Sequence, residues 1–237
     1  MLILSLGVPR SGTILVFNII REILTRQNVP FSSVNTNYPE TTAFLSSYDF
    51  SRNVLMHAHN LLPAVQKVLP RPDVHAFFNY RDPRDVVVSM MRLHDYSFEK
   101  CMELADISFA QYREARRYPK IMLIPYEQLM ESTGTFIGRI AGRLGLAITR
   151  QEAAEIREVT GLEAHKRIMR EVAGEKIEVQ LRRNPRRTLR ESTTYLINDR
   201  HIQSGRPGRW RDELTPAQRR LASAHFLPLL RELGFED

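Results

Sequence analysis

The sequence predicts an α/β fold in which a central parallel sheet is flanked by helices. Amphipathic segments alternate with short apolar runs, and these runs predict buried strands near residues 2–7, 53–58, 74–80 and 120–125. From about residue 147 to 200 the pattern becomes helical and charged, and this segment is predicted to form a lid or to face an acceptor.

Length and composition predict one domain spanning residues 1–237. The chain is 43% hydrophobic, which is enough for a sizeable core, and no repeat, low-complexity run or long linker divides it. Its single cysteine, Cys101, can form neither an internal disulfide nor a cysteine metal site, so a reducing compartment is favoured.

No segment of the sequence has the pattern of a membrane anchor. The apolar residues at 1–8 and 14–20 are interrupted by Arg10 and Asn18, and neither run is long enough to span a bilayer or follows a basic segment. We therefore expect the first strand and the first helix here, no stable membrane insertion, and a cytoplasmic protein.

The segment from Gly7 to Thr13 joins the first strand to a helical pattern and predicts a phosphate loop. Backbone N–H groups and the positive end of a helix dipole converge at such a junction. The spacing is close to a Walker loop, but Thr13 follows Gly12 directly and the usual lysine is missing. A cation lies inside the loop instead, at Arg10.

A second basic turn follows the predicted strand at residues 74–80. Asp82 and Pro83 are helix-start signals, so Arg81 is placed at the end of the strand and Ser89 on the next helix. Parallel sheets bind ligands at the carboxyl ends of their strands. An arginine there suits a phosphate rather than magnesium, so the ligand is predicted to be a nucleotide with phosphates at two positions.

Three segments together resemble the sulfotransferases that use 3′-phosphoadenosine 5′-phosphosulfate (PAPS). The family has a P-[KR]-S-G-T loop, an R-[ND]-P-[KR]-D-x-x-V-S segment and a late G-x-x-G-x-W loop followed by L-T. The matching segments, in the same order, are Pro9–Thr13, Arg81–Ser89 and Gly205–Trp210 with Leu214 and Thr215.

The resemblance implies a three-layer P-loop NTPase-like fold with a helical C-terminal portion, and sulfuryl transfer from PAPS to a hydroxyl or amine without a metal. The product would be adenosine 3′,5′-bisphosphate (PAP). The nucleotide-binding residues that it implies are Pro9, Arg10, Ser11, Gly12, Thr13, Arg81, Ser89, Tyr126, Gly205, Arg206 and Gly208.

Four residues in two segments of the family pattern are changed in this chain. Ile14 and Leu15 stand where a second threonine and an adenine-stacking tryptophan are common, and Gln203 and Ser204 replace an arginine and a lysine before the late loop. Arg206 or backbone N–H groups would substitute for that basic pair. Trp210, the only tryptophan, is expected to anchor the late loop or to rest on the base.

The acceptor hydroxyl needs a base, and a strand pattern over residues 53–59 provides two histidines. Alternation places His57 and His59 on one face, near the same crevice. The resemblance places His59 at the catalytic histidine and His57 where the family has a lysine. Arg10 would stabilise the oxygen between phosphate and sulfuryl group, and Glu40 is a rival base.

Two other functions compete with this hypothesis: a P-loop kinase for a small metabolite, and a non-enzymatic module that binds a nucleotide or polyanion. The formal charge of +7 includes the cluster Arg182, Arg183, Arg186, Arg187 and Arg190, but no nucleic-acid motif accompanies it, so no nucleic-acid partner is expected. The acceptor is predicted to be a hydroxyl-bearing small molecule, lipid or glycan, and the sequence does not choose among them.

Overall fold

The computed structural model describes residues 1–36, 39–171, 176–177, 189–192, 196–198 and 205–235. Its centre is a five-stranded sheet in the order β2-β3-β1-β4-β5, in which every neighbouring pair is parallel. The strands of this sheet are β1 (Leu2–Gly7), β2 (Ser32–Asn35), β3 (Val54–His57), β4 (Val74–Tyr80) and β5 (Ile121–Pro125).

Helices follow the strands along the chain and cover both faces of the sheet. In chain order they are α1 (Thr13–Arg26), α2 (Glu40–Ser47), α3 (Pro63–Val68), α4 (Pro83–His94), α5 (Phe98–Ala115), α6 (Tyr126–Glu131), α7 (Thr133–Arg143), α8 (Arg150–Thr160), α9 (Leu162–Glu171), α10 (Trp210–Glu213) and α11 (Pro216–Leu233).

The four strands predicted from apolar runs are confirmed within two residues at each end, and β2 is the strand that the sequence did not predict. Its residues Ser32 and Ser33 are exposed and Val34 is only partly buried. The strand lies at the edge of the sheet beside β3. An exposed, polar strand of four residues lacks the apolar alternation that a sequence pattern requires.

Alternate side chains of the central strands enter two separate cores. Leu4 and Phe78 pack with α4, α5 and α11 on one face, whereas Ile3 and Phe77 pack with α1, α7 and α8 on the other. Strands buried on both faces explain the continuous apolar runs in the sequence. The α/β prediction is therefore confirmed.

The segment at residues 147–200 is only partly helical, so the prediction for it needs correction. Helices α8 and α9 occupy its first part, and a second, antiparallel sheet follows in the order β6-β7-β8. Its strands β6 (Lys176–Ile177), β7 (Leu189–Ser192) and β8 (Ile197–Asn198) are too short for a sequence pattern to reveal. Of the predicted arginine cluster, Arg182, Arg183, Arg186 and Arg187 lie outside the described residues, and so does the side chain of Arg190.

The C-terminal portion is helical, as predicted, through α10 and α11. Among the described residues, none of the helices combines the length and the hydropathy needed to cross a bilayer.

Candidate active site

The loop after β1 is shaped by contacts that require glycine. A Cβ on Gly7 would lie 2.5 Å from the backbone oxygen of Asn79 on β4, which is closer than atoms can approach. Gly12 has a φ of 83°, and a Cβ there would meet the ring of Tyr126 at 2.8 Å. The loop is therefore pressed against both β4 and the start of α6.

The loop turns back on itself before α1 begins. Pro9 lies in this turn, and the next residue, Arg10, has a left-handed φ of 71°. The Ser11 hydroxyl donates to the Val8 carbonyl oxygen at 2.6 Å. Thr13 then begins α1, so the backbone N–H groups of the first turn point toward this loop. This is the local geometry of an anion site.

Arg10 is a partly buried cation without a carboxylate partner among the described residues. Its Nε donates to the Ser89 hydroxyl at 3.0 Å, which joins the first loop directly to α4. Burial, with the nearby charges of Arg81 and Arg209, lowers the pKa of Arg10 to about 10, although Tyr126 opposes this effect. The arginine stays charged at neutral pH, and its surroundings lack the negative charge that would stabilise it.

Arg81 follows β4, as predicted, but most of its contacts are internal. Its Nη2 donates to Asp85 Oδ2 at 2.9 Å and to the Arg206 carbonyl oxygen at 3.0 Å. The guanidinium lies 4.4 Å above the Tyr126 ring centre. Its Nε is buried and donates to no described residue, so this atom is available to a ligand.

Asp85 binds the backbone of the late loop beside Arg81. We call the phosphate loop with Arg10 the first anchor, and the turn after β4 with Arg81 the second anchor. Besides Arg81, this fully buried carboxylate accepts the backbone N–H groups of Gly208 at 2.7 Å and Trp210 at 3.0 Å. The Tyr126 hydroxyl donates to the Gly205 carbonyl oxygen at 2.6 Å. The chain after residue 205 is thereby brought to the carboxyl end of β4.

The sequence predicted Arg206 of the late loop as a site residue, but the structure places Arg209 beside Arg10 instead. The side chain of Arg206 is exposed and pairs with Asp212. Arg209 is buried instead, pairs with Glu213 at 2.6 Å, and contributes to the lowered pKa of Arg10. Trp210 is also buried, with its ring stacked against the guanidinium of Arg84 at 3.8 Å, and so anchors the loop.

His57 and His59 lie next to each other but differ in their contacts. Their ring centres are 4.8 Å apart in an edge-to-face arrangement. Both ring nitrogens of His57 are engaged, Nδ1 by Asn35 Oδ1 at 2.9 Å and Nε2 by Thr13 Oγ1 at 3.2 Å. The buried Nδ1 of His59 has no partner among the described residues.

His59 is held in the form that a general base requires. Burial lowers its pKa, the charge of Arg10 adds to this effect, and a hydrogen bond with the Gly7 backbone opposes it. The ring is therefore neutral near pH 7. Glu40, the rival base, is the exposed first residue of α2.

Glu127 binds the backbone of the turn that follows Arg81. Its Oε1 accepts the Asp82 N–H at 3.0 Å, and its buried Oε2 has no described partner. Burial raises the pKa of this carboxyl to about 7. Together with Arg84, Gly208 and Arg211, it lines a cavity of about 220 Å³ below the late loop.

The described site fits an anionic ligand. Arg10, Arg81 and Arg209 converge near the first turn of α1. Arg81 and Arg209 are buried, and Arg10 is partly buried. Bringing buried cations together is unfavourable unless negative charge offsets them. Asp85 compensates Arg81, which leaves Arg10 as the group whose environment most requires an anion.

Comparison with known proteins identifies the family. The family model of the sulfotransferase domain matches residues 2–234. The chain belongs to the sulfotransferase family.

Several solved structures share the fold. Retinol dehydratase in complex with androsterone and the inactive cofactor PAP aligns with a TM-score of 0.66 at 16% identity, over 97% of this chain and 80% of that one. Mouse sulfotransferase SULT7A1 complexed with PAP aligns with a TM-score of 0.65 at 17% identity, over 97% of this chain and 84% of that one. Retinol dehydratase in a complex with retinol and PAP aligns with a TM-score of 0.65 at 15% identity, over 97% of this chain and 81% of that one. No curated protein matches the sequence.

Sequence reasoning missed four residues that shape the site of this sulfotransferase. Asp85 lies within the Arg81–Ser89 segment and Glu127 directly follows Tyr126, but only the fold shows which backbone N–H groups their carboxylates accept. Arg209 lies inside the Gly205–Trp210 segment, directly before Trp210, and this position could have indicated it as a site residue. Asn35 lies on the unpredicted strand β2, so no sequence signal pointed to it.

Proposed function

We propose that this sulfotransferase transfers a sulfuryl group from PAPS to a hydroxyl-bearing small molecule. The observation that carries the proposal is the bond between Arg10 and Ser89. It joins the phosphate loop to the Arg81 turn, so both predicted anchors address one ligand. A nucleotide with phosphates at two positions suits such a site.

In the proposed complex, the 5′-phosphosulfate lies against Pro9–Thr13 and the 3′-phosphate against Arg81 and Ser89. The unpartnered Nε of Arg81 supports its role as a hydrogen-bond donor to this phosphate. Tyr126 faces both Gly12 and Arg81, which supports a place for its ring beside the nucleotide. Gly205 and Arg206 contribute through their backbone N–H groups. Gly208 contributes indirectly, because its N–H donates to Asp85 and so holds the late loop beside Arg81.

His59 is the proposed base. It accepts the proton of the acceptor hydroxyl while the oxygen forms a bond to sulfur, and the bond from sulfur to the phosphate oxygen breaks on the opposite side. Arg10 stabilises the leaving oxygen as a fixed donor and keeps its proton. His57 does not serve as the base in this proposal, because both of its ring nitrogens are already engaged.

The identity of the acceptor is proposed only as a class. Two of the similar structures hold androsterone or retinol, which are small molecules with a hydroxyl group. We place the acceptor on the side of the segment at residues 147–200, within a single domain spanning 1–237. The proposal requires no metal, and the lone Cys101 supports a cytoplasmic protein.

Calorimetry with PAP tests the nucleotide assignment. We expect micromolar binding in the presence of EDTA, at an affinity well above that for ATP with magnesium. A preference for ATP and magnesium would instead favour the kinase hypothesis.

A second measurement tests the base. His59→Ala should bind PAP like the wild type but turn over about a hundredfold more slowly or worse, with radiolabelled PAPS and a panel of hydroxyl acceptors. Glu40→Gln is the matched control and should keep its turnover. If the two variants exchange these results, Glu40 is the base.

A further inference from the structure

Three side chains form a continuous hydrogen-bonded chain under the phosphate loop. Asn35 at the end of β2 contacts His57 at the end of β3, and His57 contacts Thr13 at the start of α1. His57 and Thr13 are each only 3% exposed, whereas Asn35 is exposed. The chain therefore connects the surface of the edge strand to the first helical residue of the anion site.

The proton positions in this chain follow from its partners. Asn35 Oδ1 accepts, so Nδ1 of His57 carries a hydrogen. With that single proton on the ring, Nε2 has a lone pair and accepts the hydroxyl hydrogen of Thr13. Thr13 then presents only oxygen lone pairs to the rest of the site, and these repel an anion.

A second proton on the ring reverses the last bond. Nε2 then donates to Thr13 Oγ1, and the hydroxyl hydrogen can turn toward a bound phosphate or sulfate oxygen. Hydrogen bonds from a neutral donor to an anion are stronger than those between neutral groups, and the anion also stabilises the imidazolium. Anion binding and protonation of His57 therefore favour each other.

The groups around His57 make this protonation depend on the ligand. The neighbouring strands β1 and β2 hold no titratable side chain, and α1 places Arg21, Glu22 and Arg26 two turns or more beyond Thr13. Phe17 packs on the ring at 6.1 Å. The ring of His59 also packs edge-to-face on that of His57, and His59 lies in the field of Arg10. This arginine disfavours a second cation until an anion arrives.

We propose that His57 is a positioning residue that takes up a proton when an anion binds at the phosphate loop, and thereby turns the Thr13 hydroxyl into a donor to that anion. The inference rests on the proposed nucleotide site, to which Thr13 belongs. The proton comes from solvent and returns to it when the nucleotide leaves, so no other reactant is needed.

The number of protons taken up on PAP binding tests this proposal. Calorimetry at pH 7.5 in buffers of different ionisation enthalpy gives that number directly. The phosphates of PAP contribute equally in every variant. We expect the uptake of the wild type to exceed that of His57→Gln by up to about one proton. His75→Gln, which alters a histidine near the opposite end of the sheet, should match the wild type.

Asn35→Asp provides a second test at an exposed position, where folding is not at risk. A carboxylate beside Nδ1 should protonate His57 before the nucleotide arrives, so the uptake should fall while the affinity at pH 8 stays at least equal to that of the wild type. The affinity of the wild type should weaken with rising pH more steeply than that of this variant, by up to about tenfold per pH unit.

The outcomes separate this inference from the proposed function. PAP binding with equal proton uptake in wild type, His57→Gln and Asn35→Asp overturns the role of His57 and leaves the nucleotide site intact. If His57→Gln does not fold, undiminished uptake in Asn35→Asp overturns the role by itself. Failure of the wild type to bind PAP overturns the proposed function instead.

Discussion

The two arginines at the carboxyl end of the sheet share a residue type and differ in their partners. Arg10, in the loop after β1, donates to the neutral hydroxyl of Ser89. Arg81, after β4, donates to the buried carboxylate of Asp85 and to a backbone carbonyl. One guanidinium is poorly compensated within the protein, and the other is a member of an ion pair.

This difference separates ligand binding from architecture. The site gains most from an anion at Arg10, because burial and neighbouring cations already disfavour its charge. Arg81 has a second duty, since its partner Asp85 also accepts the backbone of the late loop. Two residues that look equivalent in the sequence should therefore respond differently to the same substitution.

Arg81→Ala should give the largest effect on stability. The change leaves the carboxylate of Asp85 buried without its cation, which costs about 3 kcal/mol or more of the free energy of unfolding. Urea denaturation measures it. The double variant Arg81→Met with Asp85→Asn should recover part of the loss. A single variant as stable as the wild type would contradict the architectural role.

Arg10→Ala should weaken PAP binding by about 2 to 3 kcal/mol, because the proposed complex loses a charge-assisted donor to the nucleotide. The stability of the variant should equal or exceed that of the wild type, since a partly desolvated cation beside two other arginines is removed. Calorimetry and urea denaturation measure the two quantities. Arg10→Lys keeps the charge and serves as the control, with a smaller loss of affinity. A large loss of stability in Arg10→Ala would abolish the contrast with Arg81.

Glu127→Gln should change the pH dependence of stability at the second anchor. Burial raises the pKa of this carboxyl from 4.5 to about 7, so between these pH values the folded protein binds a proton that the unfolded chain does not. Stability therefore falls as pH rises through this window, by about 1 to 2 kcal/mol. The amide variant should lose this part of the slope in urea denaturation series at pH 5 and pH 7. An unchanged slope would show that the carboxyl is ionised throughout.

The sequence was sufficient for the features that depend on local signals. Apolar runs located β1, β3 and β4, because these strands are buried on both faces, and β5, which is partly buried at the edge of the sheet. Asp82 accepts the Arg84 N–H as the predicted helix cap, with Pro83 in the first turn. Glycine spacing located the turn after β1 for the same reason, since the turn itself demands Gly7 and Gly12.

The features that depend on distant contacts were not predictable. Arg206 and Arg209 are both loop arginines in the sequence, and only the packed loop shows which one is buried. The two backbone N–H groups that Asp85 accepts lie more than 120 residues further along the chain. The edge strand β2 has no apolar pattern, so its residue Asn35 could not be connected to His57.

The dependence of Asp85 on late residues has a consequence for biosynthesis. During translation, residues up to 94 can emerge and begin to form β4 and α4, but the carboxylate obtains its two backbone donors only after Gly208 and Trp210 have left the ribosome. Until then its burial is incompletely compensated. The nascent chain should therefore acquire nucleotide affinity late and abruptly, and a ribosome stalled before residue 208 should carry a chain that cannot be captured on immobilised PAP.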